Sequence, residues 1–302
     1  MKIEIKPSEN PWNNLHATLY YGAKDIDDIS FVNSNGDASL IIWTNESEDI
    51  SFNKNRTLIY VEQEENLSRL INLVKGRNDI TILSDCIEVL HDVGDFMIDN
   101  EYWIKPTRVP NNLWYNPDSP QHRHDTFSLT SNASRAKDNI SEIIKTYFGM
   151  CLYETEDGEM LNNYNLEVYS AQELPVEPFN TLMFMGLQPN PIMHNAIRKS
   201  KLFISPYNGT SIPISVVDAI FLGTPVLMRD TITNREVFGL PDNAYFYRKK
   251  ELAQKIKLYK EMSIEEIESI AKANINIGYM KKFEPEYSVK RLMSILSKKR
   301  VI

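Results

Sequence analysis

Apolar residues fall along this chain in short runs parted by polar turns, and the runs keep two rhythms. Residues 39–43, 57–61, 80–83 and 96–98 are brief stretches rich in β-branched and aromatic side chains, which predicts strands. Over residues 66–74 the apolar positions are Leu67, Leu70, Ile71 and Val74, the spacing of one helix face. The second half repeats the alternation more regularly. Strands are predicted at 126–130, 166–169, 182–185, 202–205 and 225–228, and helices at 138–147, 191–199 and 214–222. Beyond Tyr245 the chain turns lysine-rich and helical in pattern, closing with a helix near 287–296. Strands alternating with helices predict an α/β architecture with parallel sheets.

Between Pro106 and Pro120 the sequence PTRVPNNLWYNPDSP sets four prolines among Asn, Asp and Ser, a composition that marks a linker. The domain division is therefore expected near residue 120. A short N-terminal Rossmann-like domain would span 1–120, and a second domain, ending in the closing helix, would span 121–302. A chain of 302 residues is long enough for two cores. Two stacked domains with a cleft between them are expected, because ligands of open parallel sheets bind beyond the carboxyl ends of the strands.

Composition narrows the picture. With 42% hydrophobic and 25% charged residues the chain has the balance of a folded globular protein. No apolar run is long enough to span a membrane, and the opening MKIEIKPSENPW lacks an apolar core, so neither a span nor a leader is expected and a cytoplasmic location is. Cys86 and Cys151, without CxxC spacing, point to reduced structural thiols. Charge is uneven: residues 1–120 hold 10 Lys and Arg against 20 Asp and Glu, and residues 121–302 hold 23 against 21. An acidic first half is a poor grip for a phosphate backbone, and a nucleotide would favour the second.

The chemistry concentrates in residues 201–230, KLFISPYNGTSIPISVVDAIFLGTPVLMRD. A buried strand ends in Pro206, a loop with Asn208, Gly209, Thr210 and Ser211 opens onto a helix, and Asp218 follows about two turns into it. A glycine lets backbone approach a ligand closely, and the start of a helix favours a phosphate. Gly223 ends the helix and Thr224-Pro225 leads into another apolar strand.

This order of strand, glycine loop, acid-bearing helix and Gly-Thr-Pro-Val turn resembles the donor-binding domain of GT-B glycosyltransferases of the retaining, glycogen-synthase-like group. The best matches are residues 213–219 and 223–226, and a weaker likeness covers about 126–300. The resemblance implies that Asp218 bonds the ribose hydroxyls of a nucleotide. It implies a basic pair for the diphosphate on the loop 130–137, where Lys137 occupies the family's lysine position and Arg135 stands in for an arginine that falls near Asn132. It also implies that the loop Gly186-Leu187-Gln188 receives the base through backbone groups. One position departs from the pattern. The family has a Glu beside the transferred sugar eight residues before the helix acid, and here that residue is Thr210.

The implied activity is transfer of a sugar from a UDP- or GDP-sugar to an acceptor hydroxyl. Lys137, Arg135, Thr210 and Glu62 would be the catalytic residues, and Gly186, Leu187, Gly209, Thr210, Ser211, Asp218 and Lys137 would hold the donor. Lys137 and the helix start would stabilise the departing diphosphate, so no metal and no resident cofactor is expected. Glu62 and Gln63 follow the strand 57–61, where related enzymes often place a His facing the cleft, which offers Glu62 as a candidate for acceptor contact or base. The acceptor would be a glycan or a small molecule; modified viral DNA is the least favoured because of the acidic first half. Because Thr210 carries no charge, a non-catalytic module that binds a nucleotide or glycan is the alternative.

Other residues have plainer explanations. His122 and His124 sit in linker sequence without a carboxylate cluster, and Asp25 and Asp27, though spaced like a metal-binding pair, lie in a polar turn. His91 is expected to end or cap a helix. Trp12, Trp103 and Trp114 are expected to be buried rather than stacked on a sugar.

Overall fold

The computed structural model describes residues 2–6, 30–31, 40–44, 56–61, 67–104, 106–119, 123–130, 140–152, 165–170, 182–186, 188–207, 209, 211–238 and 246–298. Its strands form two six-stranded sheets in which every neighbouring pair is parallel. The first sheet holds β1 (Lys2–Lys6), β2 (Ser30–Phe31), β3 (Leu40–Thr44), β4 (Arg56–Val61), β5 (Ile80–Ser84) and β6 (Asn100–Tyr102), in the order β2-β1-β3-β4-β5-β6. The second holds β7 (His124–Thr130), β8 (Asn165–Tyr169), β9 (Leu182–Phe184), β10 (Ser200–Ile204), β11 (Val226–Arg229) and β12 (Phe246–Tyr247), in the order β12-β11-β10-β7-β8-β9. That second order is Rossmann-like: the chain runs outward from β7 to one edge, returns to the centre at β10, and runs outward to the other. Strand order therefore reverses between β7 and β10.

The helices are α1 (Leu67–Val74), α2 (Ile87–Asp95), α3 (Ile140–Leu152), α4 (Asn190–Lys199), α5 (Ile214–Phe221), α6 (Ile232–Phe238), α7 (Leu252–Glu261), α8 (Ile264–Met280) and α9 (Pro285–Lys298). Contacts group the chain into two compact units. The second consists of Val109–Gly209 and Pro213–Lys281; the first takes the rest, chiefly the residues up to Arg108 and those from Lys282 on. The grouping changes at 108/109 and 281/282, and Thr210–Ile212 also group with the first unit, whereas the sequence pattern places the division near residue 120.

In the first unit, Ile59 and Val61 of β4 and Ile80 and Ile82 of β5 pack with the predicted stripe Leu67, Leu70, Ile71 and Val74 and with Val89 and Val93 of α2. The closing helix α9 is tied to the strand side of this unit by hydrogen bonds. Trp103 Nε1 donates to the Ser288 carbonyl at 3.1 Å, Ser288 Oγ to the Ile104 carbonyl at 2.8 Å, and the Thr107 N–H to the Phe283 carbonyl at 2.9 Å. Buried Trp103 thus has a structural role, as expected. In the second unit, Phe127, Leu166, Val168, Leu202, Ile204 and Leu227 form one sheet face, covered by Ile140, Ile143, Ile144 and Tyr147 of α3, Leu252, Ile256 and Tyr259 of α7 and Ile267 of α8.

Two expectations are corrected. Residues 96–98 form no strand: Phe96 and Met97 close α2, with the Met97 N–H on the Gly94 carbonyl at 2.8 Å and Met97 at φ 57 and 95% exposed. Only Ile98 is buried, so an apolar triplet does not report a buried strand here; the strand is β6, with its polar Asn100 and Glu101. His91 neither ends nor caps a helix but lies exposed in the middle of α2, opposite Asp95 at 3.8 Å. The proline-rich stretch is also more than a tether. Val109 and Tyr115 are buried, and the Tyr115 N–H bonds the Phe221 carbonyl at 2.8 Å.

Candidate functional site

β10 is an apolar strand that continues buried through Ser205, Pro206 and Tyr207 before the chain turns toward α5. Gly209 belongs in this turn for a steric reason. A Cβ there would lie 2.1 Å from the Tyr207 hydroxyl and 2.3 Å from the ring carbon bearing it, so any other residue would displace the Tyr207 ring. Ser211 follows, buried, and Pro213 precedes the first turn of α5 without a side-chain cap. That first turn carries no acidic residue. Its leading N–H groups lack intrahelical partners by helix geometry, and they face the loop with the positive end of the helix dipole.

Asp218 lies in the second turn of α5 and has 0% exposure. Its Oδ2 is 3.4 Å from Nε2 of His194, a residue of α4 that is itself 1% exposed. The carboxylate expected on a ribose is therefore enclosed where α4 packs on α5.

Polar groups gather where the strand order reverses. Ser128 on β7 and Ser205 just past β10 are buried, and neither hydroxyl has a hydrogen-bond partner. The register pairs Ser128 with Phe203 and Leu129 with Ile204, so the two serines stand one strand apart near the carboxyl edge. Such groups are costly unless something bonds them, by about 1–3 kcal/mol each.

The neighbouring carboxyl ends are braced by charge. Arg229, the last residue of β11, donates through Nη2 to Glu142 in the first turn of α3, and its guanidinium lies 5.3 Å from the Tyr247 ring centroid. Glu142 is also well placed at the positive end of the α3 dipole. Tyr247 donates its hydroxyl to the Ser205 carbonyl at 3.2 Å, and burial pushes its phenol well above its ordinary range. Next along, Arg235 and Arg248 both bond Asp230, and the Arg235 hydrogen bond holds that carboxyl below its ordinary 3.8.

On the other side, past β9, Gln188 Nε2 donates to the Met185 carbonyl at 2.6 Å, with Gly186 exposed at φ 64. Pro189 then leads into α4.

The second half of the motif lies elsewhere. Gly223, Thr224 and Pro225 precede β11 and so sit at the amino ends of the strands, away from the loop after β10. Thr224 is buried and donates to the Ile197 carbonyl at 2.8 Å, while Asn274 Nδ2 donates to the Thr224 carbonyl at 3.2 Å. Arg123 completes this edge. It donates to the carbonyls of Arg198 (3.1 Å), Ser200 (3.3 Å) and Gly223 (2.7 Å), at the ends of α4 and α5, and to Glu268 at 3.0 Å. Burial lowers its pKa, and Glu268 counteracts the shift.

Of the residues singled out from sequence, Glu62, Gln63, Lys137, Arg135, Asn132, Leu187, Asn208, Thr210, Asp25, Asp27, Trp12 and His122 lie outside the described residues. Gly209, Ser211 and Asp218 share the connection from β10 into α5, and Gly186 lies in the separate β9 loop. His124 opens β7 rather than lying in a linker. Trp114 is half-buried, its ring 4.7 Å from that of Phe221. His194, Arg229, Glu142 and Arg123 escaped the sequence pattern. Each acts across the fold through a partner far away in the chain, and only the placement of His194 between Met193 and Ile197 on an apolar face hinted at burial. Among the described residues, no three His, Cys, Asp or Glu side chains gather as a metal site, and no helix is long and apolar enough to cross a membrane.

No family model and no curated protein matches the chain. Solved structures do match its fold. Anabaena HepE in complex with UDP and glucose superposes with a TM-score of 0.66 at 12% identity, covering 98% of this chain and 99% of that one. The sucrose-phosphate synthase of Thermosynechococcus elongatus gives 0.62 at 9% identity over 86% and 73% of the two chains. T4 phage BGT in complex with its UDP-glucose substrate gives 0.57 at 13% identity over 95% and 97%. The chain has the GT-B fold of these structures, and the expected α/β architecture with two parallel-sheet units holds.

Proposed function

We propose that this GT-B chain transfers a sugar from a nucleoside diphosphate, uridine or guanosine, to an acceptor hydroxyl, with the donor held by residues 121–302. The observation that carries the proposal is the position of the Gly209 turn and the start of α5, at the carboxyl edge where strand order reverses between β7 and β10. Its support includes the capture of HepE with UDP and glucose and of T4 phage BGT with UDP-glucose.

In this proposal Gly209, Ser211 and the start of α5 meet the diphosphate, and Lys137 and Arg135 add positive charge to it. Gly186 and Leu187 receive the base through their backbone. Asp218 bonds the ribose, and because it is wholly buried, donor binding must uncover it. Thr210 stands beside the sugar and Glu62 serves the acceptor side. Protein cations stabilise the leaving group, so transfer proceeds without a divalent metal, and retention of the anomeric configuration follows the resembled group. The acceptor is a glycan or small molecule, with modified viral DNA disfavoured by the acidic first half. The domains proposed to do this are 1–120 and 121–302, in a cytoplasmic protein.

A thermal-shift and calorimetric screen of UDP, GDP and their sugars tests the donor, since a native-state ligand raises apparent stability. Binding of at least one is expected, followed by donor consumption in excess chelator with a retained anomeric centre by NMR. Binding without consumption would favour the non-catalytic module, for which Thr210 speaks. No binding at all would remove the proposal.

A further inference from the structure

His194 has no place in the donor contacts above, yet it is one of the least accessible polar groups in the second unit. It is 1% exposed, its Nε2 lies 3.4 Å from Asp218 Oδ2, and its Nδ1 is buried without a partner. The missing partner bears on which ring nitrogen donates. A proton on Nδ1 would bury an unbonded N–H, whereas a proton on Nε2 alone leaves only an unpaired acceptor and directs the N–H at the carboxylate. Of the two ring nitrogens, Nε2 is therefore the donor toward Asp218.

The location gives this contact a consequence. α4 follows directly on the Met185–Gln188 turn, and α5 follows on the Gly209 turn. His194 and Asp218 join the two helices behind those turns, which under the proposed function receive the base and the phosphates. A carboxylate with no exposed surface has few ways to be aimed, and a rigid imidazole on the neighbouring helix is one.

We infer that His194 is a positioning residue for the donor nucleoside: it orients Asp218 through Nε2–H and so sets nucleotide affinity without touching the nucleotide. The inference rests on the proposed donor site. It also gives the β9 turn a route to the ribose carboxylate through α4.

Two variants of similar size separate positioning from packing. In His194→Gln the amide nitrogen reaches about as far as Nε2, while in His194→Asn it falls short of Asp218. Affinities for uridine and guanosine diphosphate are measured by calorimetry on the full chain for wild type, both variants, Asp218→Ala and the double variant His194→Asn/Asp218→Ala, with melting curves for each. The expected result is that His194→Gln binds within about threefold of wild type and His194→Asn about tenfold more weakly, the scale of one hydrogen bond to a charged group. The step from His to Asn should have no effect on affinity in the Asp218→Ala background. Long-range proton–nitrogen NMR of the His194 ring supplies a second readout, expected to show a proton on Nε2.

Equal losses in Gln and Asn, a His-to-Asn effect undiminished in the Asp218→Ala background, or a proton on Nδ1 would each overturn the inference while leaving the donor site standing. A wild type that binds neither diphosphate would overturn both, and the wild-type measurement alone tells the two failures apart.

Discussion

Replacing Gly223 by alanine should cost the second unit several kcal/mol of stability without touching the proposed donor site. Gly223 takes φ 70, a backbone region that disfavours a side chain by about 1–2 kcal/mol. The added Cβ would lie 2.4 Å from Tyr115 Cγ, 2.5 Å from Cδ2 and 2.6 Å from Cβ, well inside any permitted contact. The ring is poorly placed to retreat. Its hydroxyl donates to Glu268 at 2.6 Å, its own N–H holds the Phe221 carbonyl at 2.8 Å, and Arg123 grips both Glu268 and the Gly223 carbonyl. Overpacking of this kind costs about 1–3 kcal/mol. Adding the backbone strain gives about 2–5 kcal/mol, a large part of the roughly 5–15 kcal/mol that a domain has. The assay is urea unfolding followed by circular dichroism, on Gly223→Ala, Tyr115→Ala and the double variant. Removing the ring should relieve the overlap, so the glycine substitution should cost only the backbone part, about 1–2 kcal/mol, in the Tyr115→Ala background. A single Gly223→Ala as stable as wild type would refute the reasoning, and so would strict additivity of the two changes.

Three further outcomes are expected. Arg123→Met should destabilise by about 3–5 kcal/mol in the same denaturation assay, because it leaves Glu268 without its buried cationic partner and uncovers the carbonyls at the ends of α4 and α5. The Asp230 carboxyl is held below its ordinary 3.8, first by its hydrogen bond to Arg235, so its stabilising contribution is present above about pH 4 and fades as pH falls through the lowered value; acid unfolding of Asp230→Asn should lack that part of the slope. If the chain consumes donor, Thr210→Val should slow turnover by less than about tenfold, the worth of one neutral hydrogen bond, and a loss above about a thousandfold would exceed what such a bond supplies.

The central elements of the second unit were legible because they are apolar on a scale that a sequence displays directly. Leu202, Phe203 and Ile204 of β10, Val216 to Phe221 of α5, and Val226, Leu227 and Met228 of β11 are all buried, and Asp218 alone among them is polar. In β1, by contrast, Ile3 and Ile5 alternate with lysine and glutamate over five residues, a signal easily lost in the opening MKIEIKPSENPW. The strand forecast at 96–98 failed because Phe96 and Met97 are exposed at a helix end, and hydrophobicity alone carries no record of what covers a residue. The place of Gly209 and Ser211 between β10 and α5 could be anticipated from local order. Arg123 could not, since its partners are backbone carbonyls that become neighbours only when α4 and α5 end side by side; His194 needed the packing of α4 on α5.

The separation between the two ends of α5 bears on how such a chain can change over evolutionary time. Its last turn is locked by Tyr115, Gly223, Thr224 and Arg123, while its first turn abuts the Gly209 connection. Substitutions in the last turn are filtered by whether the protein folds, and those before the first turn, under the proposed function, by what it binds. The connection before α5 can therefore change at less cost to the fold than the Gly-Thr-Pro turn. Presence of that turn in a distant sequence then reports an intact scaffold, and under the proposed function the choice of donor would be sought in the few residues between Tyr207 and Pro213.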